Sequence, residues 1–375
     1  MLRILLSLKS EKFIKHETNI ISMGSIVAKY KEVDKRICSS DISGFLYYIT
    51  PSNLEEEKLN PDPEFNYPPL DFDPKEKIKK LSSTNVPEGE LAEVYEGKKD
   101  EIIYKLKILE NRGERGKVVE LSEELYGKPK KATVDFAKYI LEQKQSYYEY
   151  PKILGAEYLK KEMEKILEKY NLKDWKIEFS EKPEVTVSPL KKRITIGKNR
   201  KFSEKDIRRL IEHEIGVHAL RAENGSLQPL EIFVAGFPGY LKTEEGFALY
   251  REEVTKLLDN KKLREYAARV IAVDMVYNGY EFKQIFEKLK SYGFSDEEGW
   301  NITYRALRAG GFCKDHIYLE GLREIEEFLE KGNKKKKLKL LYVGKIGLND
   351  LELVENLLNA KEIIKPKYFP GWEFI

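Results

Sequence analysis

Ile211-Glu212-His213-Glu214-Ile215-Gly216-Val217-His218, followed later in the chain by Thr243-Glu244-Glu245-Gly246-Phe247-Ala248, decides how this sequence is read. The chain has four histidines, and two of them bracket an acidic residue here. A His-Glu pair on a helix, a second His about a turn on, and a Glu on a following helix are the parts of a zinc hydrolase site. The spacing, however, is His-Glu-x-x-x-His, one residue longer than the usual repeat. In an α-helix each residue advances about 100°, so residues four apart differ by roughly 40° and residues five apart by about 140°. His213 and His218 can share a metal only if the helix absorbs one residue between them, as a single-turn π-bulge does. Gly216 lies in that interval, where a missing side chain relieves crowding. A bulge is therefore expected near Ile215 to Val217.

The elements around this stretch suit such a site. Three runs alternate apolar with polar residues and are rich in β-branched types: Trp175 to Phe179, Val185 to Val187 and Arg193 to Ile196. They predict a small sheet feeding the His-Glu helix, with the last strand offering an edge to an extended peptide. Ser203, with Asp206 three residues on, is a helix-start signature, and Asn224-Gly225 marks the stop. Thr243 is expected to cap the next helix, which would put Glu244 and Glu245 in its first turn. There a carboxylate would complete a His/His/Glu ligand set with a fourth position open for water. The plainer reading is that both acids only favour the helix N-terminus.

At 375 residues the chain can bury one large core or two. A net charge of +3, from 67 basic and 64 acidic residues, gives no mandate for nucleic acid. Cys38 and Cys313 lie far apart and suit a reduced, cytoplasmic protein. The apolar run Met1 to Leu8 stops at Lys9 without a cleavage site, and no stretch is long enough to span a bilayer. A start at Met23 would make the first 22 residues an appendage.

Prolines 61, 63, 68, 69 and 74 forbid helix and predict an extended strap. The organisation expected is an N-terminal region (1–60), a Pro-rich strap with helices (61–150) and a catalytic domain (151–375). Helices are expected from Glu88 to Asn111, Thr133 to Gln145, Gly155 to Tyr170, Lys261 to Tyr277 and Tyr280 to Lys290. Ser295 begins a further capping box, and Asp315 is expected to cap a helix from about His316 to Glu330. Lys334 to Lys337 reads as a solvated loop.

His213-Glu-Ile-Gly-Val-His-Ala-Leu-Arg221 with Asn224-Gly225, Gln228-Pro229 and Thr243-Glu-Glu-Gly-Phe-Ala248 resembles the tyrosine carboxypeptidase family. That family includes microtubule-associated enzymes that remove the C-terminal tyrosine of α-tubulin. Its bacterial and archaeal relatives carry the label "flavohemoglobin expression-modulating QEGLA motif". Arg305 to Gly321 is also similar to the family pattern and, more loosely, so are Tyr67 to Phe72 and Leu125 to Gly127. The likeness covers roughly residues 50 to 370. This chain has Glu-Glu-Gly-Phe-Ala where those relatives have Gln-Glu-Gly-Leu-Ala, which points to the second acid as the ligand.

The resemblance implies one zinc ion per chain, with His213, His218 and Glu245 as ligands and Glu214 as general base. Glu252, two turns beyond Glu245, is a candidate partner for a ligand imidazole. Arg305, Arg308 and Lys314 are candidates for the substrate carboxylate and Tyr318 for the oxyanion. No second metal is expected at His316. The fold expected is α+β and mostly helical, a gluzincin-like metallopeptidase with a small sheet ahead of the His-Glu helix. The activity expected is a zinc metallocarboxypeptidase acting on a peptide or protein C-terminus, without nucleic-acid or membrane partners. Two alternatives stay open: an aminopeptidase or endopeptidase on the same zinc core, and a regulatory protein with a vestigial metal site. The sequence is silent on oligomeric state.

Overall fold

A computed structural model describes residues 25–42, 44–143, 150–181 and 184–371. The expectation for the first 22 residues lies outside these, as does the end of the helix expected to reach Gln145. The fold is α+β and mostly helical.

The N-terminal part is helical: α1 (Ser25–Cys38), α2 (Phe45–Tyr48), α3 (Pro74–Ser82), α4 (Ala92–Glu110), α5 (Arg115–Tyr126) and α6 (Lys131–Glu142). Between α2 and α3 the proline-rich segment is extended, as its lost N–H groups require. It lies across the C-terminal helices, with Phe65 set edge-on to Trp300 and Tyr304, while Trp300 Nε1 donates to the Asn60 carbonyl at 2.8 Å. Asp34 of α1 accepts from the backbone N–H groups of Glu231 and Ile232, tying the N-terminal helices to the loop beyond the His-Glu helix.

The small sheet comprises β2 (Lys176–Ser180), β3 (Val185–Ser188) and β4 (Arg193–Gly197), preceded by β1 (Leu154–Gly155) and α7 (Ala156–Lys169). Its order is β2-β4-β3, with β2 parallel and β3 antiparallel to β4. Ile194 and Ile196 of β4 are fully buried. The last strand is thus central and has no free edge for a peptide, contrary to expectation, because β2 returns in parallel on its far side. β1 pairs with β5 (Lys201–Phe202) in a separate two-stranded ladder.

α8 (Glu204–Leu210) starts at the expected capping box: Asp206 N–H donates to Ser203 Oγ at 3.1 Å, and Ser203 N–H donates to Asp206 Oδ2 at 3.0 Å. It runs into a π-helix (Ile211–Ala219) and then into α9 (Leu220–Ser226). After α10 (Ile232–Ala235) comes α11 (Tyr240–Val254). α11 is buried on every face from Thr243 to Glu252, so it is the axis of the domain rather than a surface helix.

α11 begins a turn earlier than expected, because Gly239 is the cap in a left-handed conformation (φ 69°). Thr243 therefore sits inside the helix, where its hydroxyl accepts from Leu348 N–H at 3.0 Å, and the two glutamates fall in the second turn. α12 (Asn260–Tyr277), α13 (Phe282–Ser291), α14 (Asp296–Leu307), α15 (Ile317–Glu330), α16 (Lys334–Leu341) and α17 (Leu351–Asn359) complete the chain.

Two further elements differ from expectation. The residue capping α15 is His316, and Asp315 is instead ion-paired with Arg305. The lysine run opens a helix rather than a loop: Asn333 caps it, and Leu338 and Leu341 bury one face. Among the described residues no helix is long and apolar enough to cross a membrane.

Candidate metal centre

The π-helix does what the spacing demands. With an extra residue in the turn, the rings of His213 and His218 meet edge-on, their centroids 4.8 Å apart. Glu245 on α11 faces them, with Oε2 lying 3.7 Å from Nε2 of each ring. These three side chains form a cluster whose ligand atoms all lie within 4.8 Å of one another. The 3.7 Å separations are too long for hydrogen bonds. They are close to the ~3.3–3.5 Å between donors that each stand about 2.0–2.1 Å from a tetrahedral zinc ion. The donor set, two imidazoles and a carboxylate, fits zinc.

The opposite edge of each ring is already engaged. His213 Nδ1 lies 2.7 Å from Glu252 Oε1, and His218 Nδ1 lies 2.8 Å from Glu244 Oε1. Such contacts fix the tautomer and leave Nε2 of both rings for a metal. The two adjacent glutamates thus divide their work. A step of about 100° along α11 turns Glu245 to the centre and Glu244 behind His218.

Charges from distant parts of the chain support this layer. Glu252 also accepts from Arg209 at 3.0 Å, and Glu244 is ion-paired with Arg221 and Lys345. Burial opposes the charge on Glu244, but Arg221 and Lys345 outweigh it and hold the carboxyl well below the usual range. The same balance, with Lys314 as the first opposing charge, keeps Glu245 ionised. For His213 burial works against the cation, yet Glu245 and Glu252 push its pKa up to about 10. A positive charge is therefore favoured at the point the metal would take.

Gly216 is less essential than its place in the motif suggests. A Cβ there would meet the Glu212 carboxylate at 3.2 Å and the Ile211 carbonyl at an ordinary 3.8 Å. Gly246 differs: a Cβ would fall 2.1 Å from the Gly321 carbonyl carbon. Backbone contact between α11 and α15 thus sets how near Glu245 lies to the residues leading into α15.

Glu214 is buried beside both histidines; burial raises its pKa, while His213 and His218 pull the other way. Lys314 Nζ lies 3.4 Å from Glu245 Oε1 and 3.5 Å from the Tyr318 hydroxyl. Tyr318 stacks on Tyr266, and burial together with Glu245 holds its pKa high, so it stays a neutral donor. Arg305 is occupied by Asp315. Arg308 is buried over the Phe312 ring with Nε unpartnered, and among the described residues it makes no ion pair. His316 lies apart, its two ring nitrogens against the carbonyls of Cys313 and Tyr126.

Sequence reasoning missed Glu244 as the support of His218, along with Arg209, Arg221 and Lys345. The one available signal was helical phase, which separates Glu244 from Glu245.

A family model described as microtubule-associated tyrosine carboxypeptidase matches residues 53–373. Two proteins described as microtubule-associated tyrosine carboxypeptidase 1, from Rattus norvegicus and Mus musculus, are each 29% identical to this chain over 128 residues. The aligned part is 31% of this chain but 26% of the rat and 27% of the mouse protein, so it spans about a quarter of these curated relatives. A crystal structure described as a lipoprotein from Colwellia psychrerythraea superposes with a TM-score of 0.39 at 13% identity, covering 76% of this chain and 56% of that one.

Proposed function

Because this chain belongs to the microtubule-associated tyrosine carboxypeptidase family, we propose that it is a zinc-dependent metallocarboxypeptidase of gluzincin type. It would hydrolyse the last peptide bond of a peptide or protein, with a C-terminal tyrosine as the residue released. The observation that carries this reading is the convergence of His213 Nε2, His218 Nε2 and Glu245 Oε2 through the π-helix.

His213, His218 and Glu245 would hold the ion. When bound, zinc supplies Lewis acidity at the scissile carbonyl and lowers the pKa of water toward about 7. Glu214, next to both histidines, accepts the proton of the attacking water and returns it to the leaving amine. The neutral Tyr318 hydroxyl donates to the oxyanion that develops on the carbonyl. Arg308, with its Nε unpartnered and no carboxylate partner among the described residues, suits a substrate's terminal carboxylate. Arg305 is less available, being paired with Asp315, and Lys314 orients Glu245 more directly than it reaches substrate.

Cys38 and Cys313 are buried, unpaired thiols, in keeping with a cytoplasmic location. The division at about residue 150 belongs to the same proposal, with the strap packed on the catalytic part.

The test pairs metal analysis with Glu214→Gln. Stoichiometric zinc in wild type and variant, with hydrolysis abolished only in the variant, is the expected result. Protein without zinc, or unchanged hydrolysis by the variant, would overturn the reading. Mass spectrometry of a cleaved peptide library separates the carboxypeptidase from its rivals: N-terminal losses or internal cuts would exclude it.

A further inference from the structure

A π-helix that returns to α-helix must leave one carbonyl behind, because the donor changes from five residues ahead to four. The passed-over group can be identified here. Leu220 N–H donates to the carbonyls of Ile215 and Val217, skipping Gly216. Gly216 is buried, where an unmet carbonyl acceptor is costly. Its partner comes from far along the chain: the Tyr342 hydroxyl donates to it at 2.6 Å.

Tyr342 is itself held from several sides. It follows α16 and is fully buried. Its ring packs edge-on against Phe247, two residues after Glu245, and against Phe369 of the C-terminal segment. Arg221 of α9 donates to the carbonyls of Leu341 and Ile346 on either side of it, each at 2.7 Å. The side chain thus belongs to neither metal-bearing helix and touches both, its hydroxyl meeting the π-helix and its ring meeting α11.

We propose that Tyr342 is a positioning residue that sets where the extra residue of the zinc helix sits. A one-residue bulge can migrate along a helix, and each location leaves a different carbonyl unpaired. Only the location that frees Gly216 is met by Tyr342, and there the surplus residue falls between His213 and His218. If the bulge moved past His218, the two imidazoles would revert to a separation of about 140° and the ligand set would open. The inference rests on the zinc reading above and deepens it by naming what holds the ligand register.

The experiment compares Tyr342→Phe with Tyr30→Phe. Tyr30 is also a core tyrosine and donates to the Pro87 carbonyl at 3.0 Å, so that control loses a tyrosine–carbonyl bond, though a less enclosed one, away from the metal-bearing helices. Zinc affinity is read by chelator competition, and amide exchange is followed across residues 215–221 in metal-free protein. Tyr342→Phe is expected to bind zinc about tenfold or more weakly and to exchange faster over that segment, with Tyr30→Phe unchanged in both. Phe369→Leu, which keeps the hydroxyl but loosens its ring, is expected to weaken zinc less, in the same direction, and it serves if Tyr342→Phe does not fold. Tight zinc binding by wild type with an unshifted Tyr342→Phe, or an unshifted Phe369→Leu where Tyr342→Phe does not fold, overturns this inference alone. Absence of zinc binding in wild type removes the proposed function as well.

Discussion

Gly246 of α11 and Gly321 of α15 meet backbone to backbone, so that a Cβ on Gly246 would lie 2.1 Å from the Gly321 carbonyl carbon and one on Gly321 2.2 Å from the Lys242 carbonyl oxygen. Neither atom can move aside as a side chain would. Gly246→Ala must push the helices apart, carrying Glu245 away from Lys314, and should cost about 3 kcal/mol or more by overpacking. Gly216→Ala, inside the motif itself, meets at closest the Glu212 carboxylate, which is ion-paired with Arg251 but need give only a few tenths of an ångström, so stability should change by no more than about 1 kcal/mol. Thermal melts of the two variants, with zinc affinity alongside, check this. A Gly246→Ala protein as stable as Gly216→Ala would refute the packing argument.

Glu244 and Glu245 are neighbours with different duties, and substitutions should show it. Glu244 supports His218 and is the buried counter-charge of Arg221 and Lys345. Glu244→Gln should lower zinc affinity about 10–100-fold and also reduce stability by about 3–5 kcal/mol, because two buried cations lose a charge partner. Glu245 has one lysine beside it, Lys314, and otherwise faces His213, whose charge Glu252 also supports. Glu245→Gln should abolish tight zinc binding with a smaller stability loss in metal-free protein. Denaturant unfolding of both variants without zinc separates these outcomes, and equal losses would count against the division.

Much of this site was legible because helical geometry is strict. The surplus residue between His213 and His218 could be accommodated in few ways, and the capping box at Ser203 follows from hydrogen bonding within four residues. What sequence could not give is long-range. β4 reads as an edge until β2 is known to pair in parallel beside it. Thr243 has the chemistry of a cap, but Gly239 begins the helix and the threonine hydroxyl serves Leu348 instead. The lysine run becomes helical only because Leu338 and Leu341 find a core to enter. Lys345 reaches Glu244 from 101 residues away, which no local spacing foretells.

Arg308 offers a test of end recognition. Its Nε is buried without a partner beside the Phe312 ring. A charge-assisted hydrogen bond to a substrate's terminal carboxylate is worth about 1.5–3 kcal/mol, or roughly 10–100-fold in kcat/KM. Arg308→Ala should lose that factor on peptides with a free C-terminus, mainly through KM. Peptides ending in an amide should be poor substrates for wild type and no worse for the variant. If both peptides lose activity equally, Arg308 does not read the carboxylate.

A pH effect is expected away from the candidate metal centre, where Glu326 of α15 faces Glu253 of α11. Burial raises the Glu326 carboxyl, and Glu253 adds to it by charge and by hydrogen bonding, bringing its pKa to about 7. An acid whose pKa is higher folded than unfolded binds its proton more tightly in the native state. Below the unfolded value of about 4.3 it costs nothing, and the destabilisation grows as pH rises toward 7, then levels off. Glu326→Gln removes this penalty while keeping the shape and one hydrogen-bonding group. The variant should match wild type in thermal stability near pH 4.5 and exceed it by a margin that widens to about pH 7 and holds at pH 8. Melting curves at those pH values decide the matter, since a constant difference across the range would mean that the pair does not share a proton.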